Sequence, residues 1–246
     1  MIAPKSLEAA KAHARAEYPK ESVGLVICGE DWEEYRPCRN VAEDPTQHLQ
    51  LPAEDYAAAA DDGEVICLIH SHPNGVARPS HLDLMQCEAS GIPWLIITLG
   101  PEEFGQTCEF APSGWAPPLV GREFHYGVLD CYTLIRDWYQ REWVITLPDF
   151  DHGPDGWWDK KHRNYRPGFS PYLDNFEAAG FVEIAGPIQT GDIILMQVKA
   201  DEVNHAAVYL GDGVMLHHLY NRLSNRTIYG GMWAEVTRKI VRLKTR

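Results

Sequence analysis

Apolar and polar positions along the first part of the chain alternate between short apolar runs and segments with helical spacing. The apolar runs have the length of buried strands, and they cover residues 22–28, 64–70 and 93–99. The helical segments cover residues 6–18, 52–60 and 80–90. Strands that alternate with helices are typical of α/β folds. We therefore expect an α/β sandwich in this part of the chain.

The pattern is interrupted over residues 111–119, whose sequence is APSGWAPPL. Proline has no backbone N–H, so this segment cannot maintain regular hydrogen bonding. We therefore predict two domains, one over residues 1–112 and one over residues 119–246.

The second part begins with a helical pattern and continues with strand patterns. Residues 131–143 place Leu134, Ile135 and Trp138 on one helical face. Residues 146–168 are rich in Pro, Asp, Gly and Trp and are predicted to form a long ordered loop of the kind that lines sites. A second helix is expected from Ser170 to Gly180. Predicted strands cover residues 192–198, 206–210, 214–219 and 239–243, with a hairpin turn at 211–213. This order predicts an α+β domain with an antiparallel sheet.

Composition and charge limit the classes of partner. Hydrophobic residues make up 45% of the 246 residues and charged residues 23%, as in globular proteins. The net charge is −13, of which −12 lies in residues 1–118. A negative charge of this size repels phosphate groups, so we expect neither nucleic-acid nor membrane-surface binding. No apolar stretch has the length of a membrane span, and the N-terminus does not resemble a signal peptide. The six cysteines are isolated from one another, which favours a reducing compartment.

A set of metal-ligand residues follows the predicted strand 64–70. His70 and His72 are two positions apart and would point to one side of a strand. Ser80 and Asp83 follow at the start of a predicted helix and complete the pattern H-x-H-x7-S-x2-D. Two imidazoles and one carboxylate are a ligand set for Zn²⁺ that leaves one position open for water. The sequence therefore predicts a catalytic zinc site with His70, His72 and Asp83 as ligands.

Two structural interpretations compete with the zinc site. The pair Ser80 and Asp83 also fits a helix capping box, and His-x-His pairs occur at packed or surface positions. The capping box is compatible with a metal site because Ser80 offers both a hydroxyl and a backbone N–H.

These residues resemble the JAMM (MPN+) metallopeptidase family, whose signature adds a glutamate upstream. The segment PKESVGL, which contains Glu21, is similar to the first strand of that family. The resemblance implies that Glu21 is the general base and that Ser80 stabilises the oxyanion. Glu21 is also one of 35 acidic residues, and a plain surface position remains open for it.

A second set of residues has the order of a cysteine hydrolase. Cys131 opens the predicted helix, where the helix dipole favours a thiolate. His205 begins a predicted strand, and His217 follows the hairpin turn twelve residues later. The hairpin would bring the two imidazoles together, as the base and the orienting residue of an acyl-transfer site. Inert packing of the cysteine and a structural role for each histidine are the alternatives.

The segments DCYTLIRDWY, GDIILM and NHAAVYLGDGVMLHH resemble the NlpC/P60 cysteine peptidases, which have a papain-like α+β fold. By this resemblance Cys131 is the nucleophile, His205 the base and His217 the orienting residue, while His218 points to the other strand face. Tyr126 is similar to an upstream tyrosine of the family and is expected on the oxyanion or substrate side. Tyr132 and Thr133 replace the usual Ser-Gly, which affects the shape of the substrate cleft.

A JAMM unit followed by an NlpC/P60 unit resembles the tail tip assembly proteins of lambda-like siphophages. This resemblance implies a tail-associated double peptidase that cleaves peptidoglycan stem peptides during wall penetration. It implies tail tip proteins as partners, with a ubiquitin-like tail protein as a candidate substrate of the first unit. It also implies synthesis in the host cytoplasm and a final place in the virion tail. A structural tail component and a cellular peptidase for ubiquitin-like modifiers remain as alternatives.

Overall fold

The computed structural model describes residues 2–244. The chain divides into two compact units, Met1–Ala116 and Pro117–Arg246. The first residue of the predicted first domain and the last two of the predicted second domain lie outside the described residues. Because the two units have separate sheets, each is described by itself.

The first unit contains three helices and five strands within its described residues. In chain order they are α1 (Pro4–Glu17), β1 (Val23–Cys28), β2 (Glu33–Cys38), α2 (Ala53–Asp62), β3 (Glu64–Pro73), α3 (His81–Ser90), β4 (Trp94–Leu99) and β5 (Phe104–Phe110). The sheet has the order β2-β1-β3-β4-β5, with β3 and β4 parallel and the other pairs antiparallel.

The two faces of this sheet pack against different helices, as the alternating side chains of β1 show. Val23, Leu25 and Ile27 lie in one apolar cluster together with residues of α2 and α3. Val26 lies in a second cluster together with Ala10 of α1. Since successive side chains of a strand point to opposite faces, the sheet is covered by helices on both sides. This is the α/β sandwich that the sequence predicts.

The two edge strands, β2 and β5, were not predicted from the sequence. β2 has the sequence EEYRPC, in which charged residues and a proline obscure the strand pattern. β5 is mostly exposed to solvent. Edge strands carry polar residues and proline because one side of the strand has no partner.

The segment after β5 is bound to α3 and belongs to the first unit, which extends to Ala116. The carboxylate of Glu88 accepts hydrogen bonds from the backbone N–H groups of Ser113, Gly114 and Trp115, at 2.7, 3.1 and 2.9 Å. The first half of the proline-rich break therefore belongs to the first unit.

The second unit contains three helices and six strands within its described residues. They are α4 (Cys131–Trp143), α5 (Pro171–Asn175), β6 (Phe181–Glu183), β7 (Ile193–Met196), β8 (His205–Gly211), β9 (Val214–His217), β10 (Asn225–Ile228), α6 (Met232–Val236) and β11 (Thr237–Leu243). The sheet order is β10-β9-β8-β7-β11-β6, and all pairs are antiparallel.

Helix α4 packs on this sheet through the apolar face that the sequence predicts. Leu134, Ile135 and Trp138 are buried in one cluster with Leu195 of β7 and Val208 of β8. The packing fixes the start of α4 near the start of β8. In the part of the chain that the structure describes, no helix has both the length and the apolarity needed to cross a bilayer.

Local structure of the second unit departs from the sequence predictions at several elements. Helix α5 ends at Asn175 rather than at Gly180, and residues 176–180 form turns. The edge strands β6 and β10 and the short helix α6 were not predicted. The hairpin after β8 is the predicted turn, in which Asp212 and Gly213 have φ angles of +49° and +73°. A two-residue turn with positive φ values at both positions matches the twist of the paired strands.

Candidate functional sites

The candidate metal site lies at the end of β3 and the beginning of α3. His70 and His72 occupy alternate positions of β3, which continues to Pro73, so both imidazoles project to one side. Asp83 lies in the first turn of α3, and Ser80 is the N-cap of that helix. One strand and one helix thus bring the three predicted ligands together.

The distances between the ligand atoms fit a tetrahedral zinc ion. The Nε2 atoms of His70 and His72 are 3.0 Å apart, and they lie 3.5 and 3.6 Å from the two carboxylate oxygens of Asp83. Zn–N and Zn–O bonds of about 2.1 Å at tetrahedral angles separate ligand atoms by about 3.4 Å. The three residues therefore form a set that could hold one Zn²⁺ ion.

Hydrogen bonds and burial give these side chains protonation states that suit the binding of a cation. The Nδ1 atom of His72 lies 3.1 Å from the carbonyl of Val76, which favours a proton on Nδ1 and a lone pair on Nε2. Burial lowers the pKa of His70 to about 4, so its imidazole is neutral. Burial would raise the pKa of Asp83, but hydrogen bonds from His72 and Ser80 hold it well below its usual range. The site thus combines a neutral imidazole with an ionised carboxylate.

Glu21 lies beside this group of ligands. Val23 pairs with His70 in the antiparallel ladder between β1 and β3, and continuing that register by two residues places Glu21 opposite His72. Burial raises the pKa of Glu21 to about 7, although the nearby His72 lowers it. A carboxylate with a pKa near neutrality can accept or donate a proton at physiological pH.

Ser80 interacts with Asp83 rather than with the open side of the site. The backbone N–H and the hydroxyl of Ser80 both donate to Oδ2 of Asp83 at 2.7 Å, and its hydroxyl accepts from the Asp83 N–H. This reciprocal pattern is a capping box. The capping and metal interpretations therefore coexist, since Ser80 orients the carboxylate that would bind the metal.

The second candidate site surrounds a cavity of about 780 Å³ in the second unit. Cys131 is the first residue of α4, and His205 is the first residue of β8. Both residues line the cavity, as do Tyr126 and His218. The structure thus brings the predicted nucleophile and the predicted base to one cavity.

The two predicted histidines of this site are hydrogen-bonded to each other. Nε2 of His205 lies 3.2 Å from Nδ1 of His217, which is in the neighbouring strand β9. Burial lowers the pKa of His205 to about 3 and also lowers the pKa of His217. Both imidazoles are therefore neutral near pH 7. His218 also lines the cavity, and its ring packs edge-on against the ring of Phe124.

The thiol of Cys131 has a different environment from the one expected. Its sulfur lies 2.8 Å from the hydroxyl of Tyr172. Among the described residues, Cys131 and His205 are not hydrogen-bonded to each other. Burial and the neighbouring carboxylate of Asp130 raise the pKa of Cys131 to about 12, although the contact with Tyr172 lowers it. Desolvation therefore opposes the thiolate that the helix N-terminus favours.

Tyr126 also lines the cavity. Its hydroxyl donates to the carbonyl of His152 at 2.5 Å, and its ring packs beside Trp158. The residue that occupies the position next to sulfur is Tyr172, which sequence reasoning missed. The sequence gives little indication of this role, because Tyr172 follows Ser170 and Pro171 at the start of a predicted helix.

Sequence reasoning also missed an ion pair at the start of α4. Asp130 is the N-cap of this helix, and its Oδ1 accepts from the N–H groups of Tyr132 and Thr133 at 3.0 Å. Its Oδ2 lies 2.6 Å from Nδ1 of His152, and this contact raises the pKa of the imidazole. His152 belongs to the long loop that the sequence predicts to line a site.

Two family models match the chain, one for each unit. Residues 4–109 match the prokaryotic homologues of the JAB domain, and residues 121–242 match the NlpC/P60 family. These matches confirm the predicted fold classes, a JAB/MPN-like α/β unit followed by an NlpC/P60 α+β unit.

Curated relatives cover both units together. The tail tip assembly protein K of Escherichia phage N15 is 43% identical over 242 residues, which cover 98% of this chain and 95% of the relative. The protein of the same name from Escherichia phage lambda is 38% identical over 194 residues, 78% of this chain and 88% of the relative.

Solved structures resemble the units at lower identity. A JAB1/MPN domain protein from Archaeoglobus fulgidus is 20% identical with a TM-score of 0.32, covering 44% of this chain and 85% of its own. An NlpC/P60 family protein from Bacillus cereus is 16% identical with a TM-score of 0.33, covering 94% of this chain and 65% of its own.

Proposed function

Since this chain belongs to the family of phage tail tip assembly proteins K, with a JAB unit and an NlpC/P60 unit, we propose that it is a tail-associated peptidase. In this proposal the second unit hydrolyses stem peptides of peptidoglycan, and the first unit is a zinc-dependent peptidase. The observation that carries the proposal is the placement of Cys131 and His205 on one cavity.

The second unit contains the groups that cysteine-type hydrolysis of an amide requires. The sulfur of Cys131 attacks the scissile carbonyl carbon while His205 takes the thiol proton, and His205 returns that proton to the leaving amine. Water then hydrolyses the thioester and restores the thiol. A high thiol pKa implies that the proton leaves together with the attack on substrate rather than before it, because a buried free thiolate is costly.

A peptide of the bacterial wall is the substrate class that the NlpC/P60 match supports. The cavity provides both polar groups and aromatic rings, which suits an extended peptide with polar side chains. The second unit carries a net charge of only about −1, counted from its sequence. It therefore repels an anionic wall far less than the first unit does.

The first unit contains the groups for metal-assisted peptide hydrolysis. His70, His72 and Asp83 would hold the zinc ion, which when bound supplies a Lewis acid that activates water. Glu21 would accept the proton of that water, since its carboxyl lies beside His72 and its pKa is near neutral. Ser80 holds Asp83 in position, and the oxyanion role implied by the family resemblance stays a prediction.

The tail role is proposed from the relatives. Both are named for tail tip assembly, so we propose phage tail proteins as partners and the virion tail as the final location. A ubiquitin-like tail protein as substrate of the first unit stays a prediction. The tail relatives argue against a cellular peptidase for ubiquitin-like modifiers.

Digestion of purified peptidoglycan by the full chain tests the proposal for the second unit. Wild type should release stem-peptide fragments detectable by mass spectrometry, and Cys131→Ala should release none. His205→Ala should lower the rate by about 100-fold or more, the usual contribution of a general base. His217→Ala should have a smaller effect, since it does not carry the proton. Cys108→Ala in the first unit is the matched control and should leave the rate unchanged.

A structural tail component is the second candidate function. The contact between Cys131 and Tyr172, without a hydrogen bond from Cys131 to His205, favours it. If folded, reduced wild type releases no fragment from several types of peptidoglycan, the hydrolase proposal is wrong and the structural role takes its place.

A further inference from the structure

The hydrogen bonds around His217 continue beyond the pair of histidines. Nε2 of His217 lies 3.2 Å from the hydroxyl of Thr227. That hydroxyl donates to Oδ1 of Asn225 at 2.7 Å. Both residues lie on β10, and Asn225 is the direct cross-strand partner of His217 on β9. Four side chains from three neighbouring strands therefore form one continuous chain of hydrogen bonds.

The amide oxygen of Asn225, at the end of this series of hydrogen bonds, determines which atom is the donor in each bond. Oδ1 of Asn225 can only accept, so the single hydroxyl proton of Thr227 is used in that bond. Toward His217 the hydroxyl then acts as acceptor, and Nε2 of His217 must be the donor. A neutral imidazole has one N–H and one lone pair, so Nδ1 of His217 carries the lone pair. It accepts a hydrogen bond from the Nε2–H group of His205.

We infer that Thr227 and Asn225 are positioning residues that fix the tautomers of His217 and His205 and so leave Nδ1 of His205 as the basic nitrogen. The inference rests on the proposed hydrolase function for its effect on rate, but not for the tautomers themselves. His205 lines the cavity together with Cys131, and its Nε2 is used by the bond to His217. Nδ1 is therefore the nitrogen available to Cys131.

The tautomer determines whether His205 can act in the reaction. Nδ1 takes the proton from the thiol as the bond between sulfur and the carbonyl carbon forms. The same proton then passes to the leaving nitrogen as the amide bond breaks, so His205 is neutral at the end of acylation. The wrong tautomer has a proton on Nδ1 and cannot accept the thiol proton, which makes that fraction of the protein inactive.

Histidine ¹⁵N NMR of the full chain tests the tautomers without any substrate. In wild type both His205 and His217 should be in the Nε2–H form at pH 7. Thr227→Val keeps the shape of the side chain but removes the hydroxyl, so His217 should become a mixture of tautomers. Thr227→Ser restores the hydroxyl and should restore the wild-type spectrum. Thr146→Val removes a hydroxyl that bonds Gln140 elsewhere in the unit and should change neither histidine.

Peptidoglycan digestion by the same variants measures how the tautomers affect the rate of hydrolysis. Thr227→Val should lower kcat about tenfold with little change in KM, the factor expected for the loss of one ordinary hydrogen bond. Thr227→Ser should recover most of that rate. An Nδ1–H form of His217 in wild type, or unchanged tautomers in folded Thr227→Val, would overturn the inference. Wild-type tautomers as expected without any digestion would instead contradict the proposed hydrolase alone.

Discussion

At the scale of single residues, burial opposes the effect of helix position on the thiol of Cys131. Cys131 is at a helix N-terminus, which would lower its pKa, yet its side chain is buried and adjacent to the carboxylate of Asp130. The hydroxyl of Tyr172 is one neighbouring group that opposes this effect. The contact with Tyr172 therefore reduces the cost of forming the thiolate.

Removal of this hydroxyl should make Cys131 less reactive. In Tyr172→Phe the thiolate loses a hydrogen-bond donor, so we expect the thiol pKa to rise and alkylation by iodoacetamide to slow several-fold. Mass spectrometry of the Cys131 peptide over a pH series measures the rate separately from those of the other cysteines. Tyr132→Phe is the control, since the Tyr132 hydroxyl donates to the carbonyl of Pro148. Faster alkylation of Tyr172→Phe would show that the tyrosine shields the thiol instead.

The ion pair between His152 and Asp130 should make stability depend on pH. The contact with Asp130 raises the pKa of His152 above the unfolded value of about 6.5. Its contribution is therefore complete below that pH and is lost as the pH rises through the raised folded pKa. His152→Gln should lower the free energy of unfolding at pH 5.5 by roughly 1 to 2 kcal/mol. Denaturant titrations at pH 5.5, 7 and 9 should show that this difference becomes smaller with rising pH, and a constant difference would contradict the assignment.

At the scale of elements, the candidate metal site depends on the junction of β3 with α3. The strand provides two of the predicted ligands at alternate positions, and the capping box orients the third from the helix. The loop between them returns the chain so that the first turn of α3 faces the end of β3. It also places the carbonyl of Val76 3.1 Å from Nδ1 of His72.

Zinc should bind to this junction and stabilise the first unit. Because a ligand that binds only the folded state adds about 2.7 kcal/mol at 100 times its Kd, added zinc should raise the Tm of the unit. Calorimetry should show this rise in wild type and in Glu21→Gln, which keeps all three ligands. The rise in Tm should be lost in His72→Ala and in Asp83→Asn. His48→Ala, at an exposed position, is the control and should retain the rise. If metal-free wild type does not bind zinc, the metallopeptidase proposal is wrong.

At the scale of the whole molecule, the chain carries two candidate sites in two separate units. Their chemistry differs, because one site offers metal ligands and the other a thiol with two imidazoles. The requirements for activity should therefore differ as well.

Chelation should separate the two proposed activities of the full chain. We expect EDTA to remove zinc from the first unit and to leave the release of peptidoglycan fragments unchanged. A thiol reagent should stop that release without displacing zinc. Metal content and fragment release are measured on the same sample. Loss of fragment release on chelation, with Cys131 still reduced, would show that the second unit also depends on metal.

Much of the fold follows from patterns within short segments. The buried strands β1, β3 and β4 read as continuous apolar runs, and α4 shows its buried face in its spacing. The edge strands β2 and β5 were missed because their residues meet solvent and resemble loops. Local pattern therefore predicts the centre of a sheet better than its edges.

The sequence by itself determined the two-unit order, the grouping of His70, His72 and Asp83, and the pairing of His205 with His217. Each of these depends on spacing within one strand, one helix start or one hairpin, where backbone geometry fixes the neighbours. Only the tertiary structure decided that Tyr172 lies against Cys131, that His152 pairs with Asp130, and that burial raises the thiol pKa. Those contacts join residues 22 to 41 positions apart through a loop without regular structure. No periodicity relates such residues, so their meeting depends on how the whole unit packs.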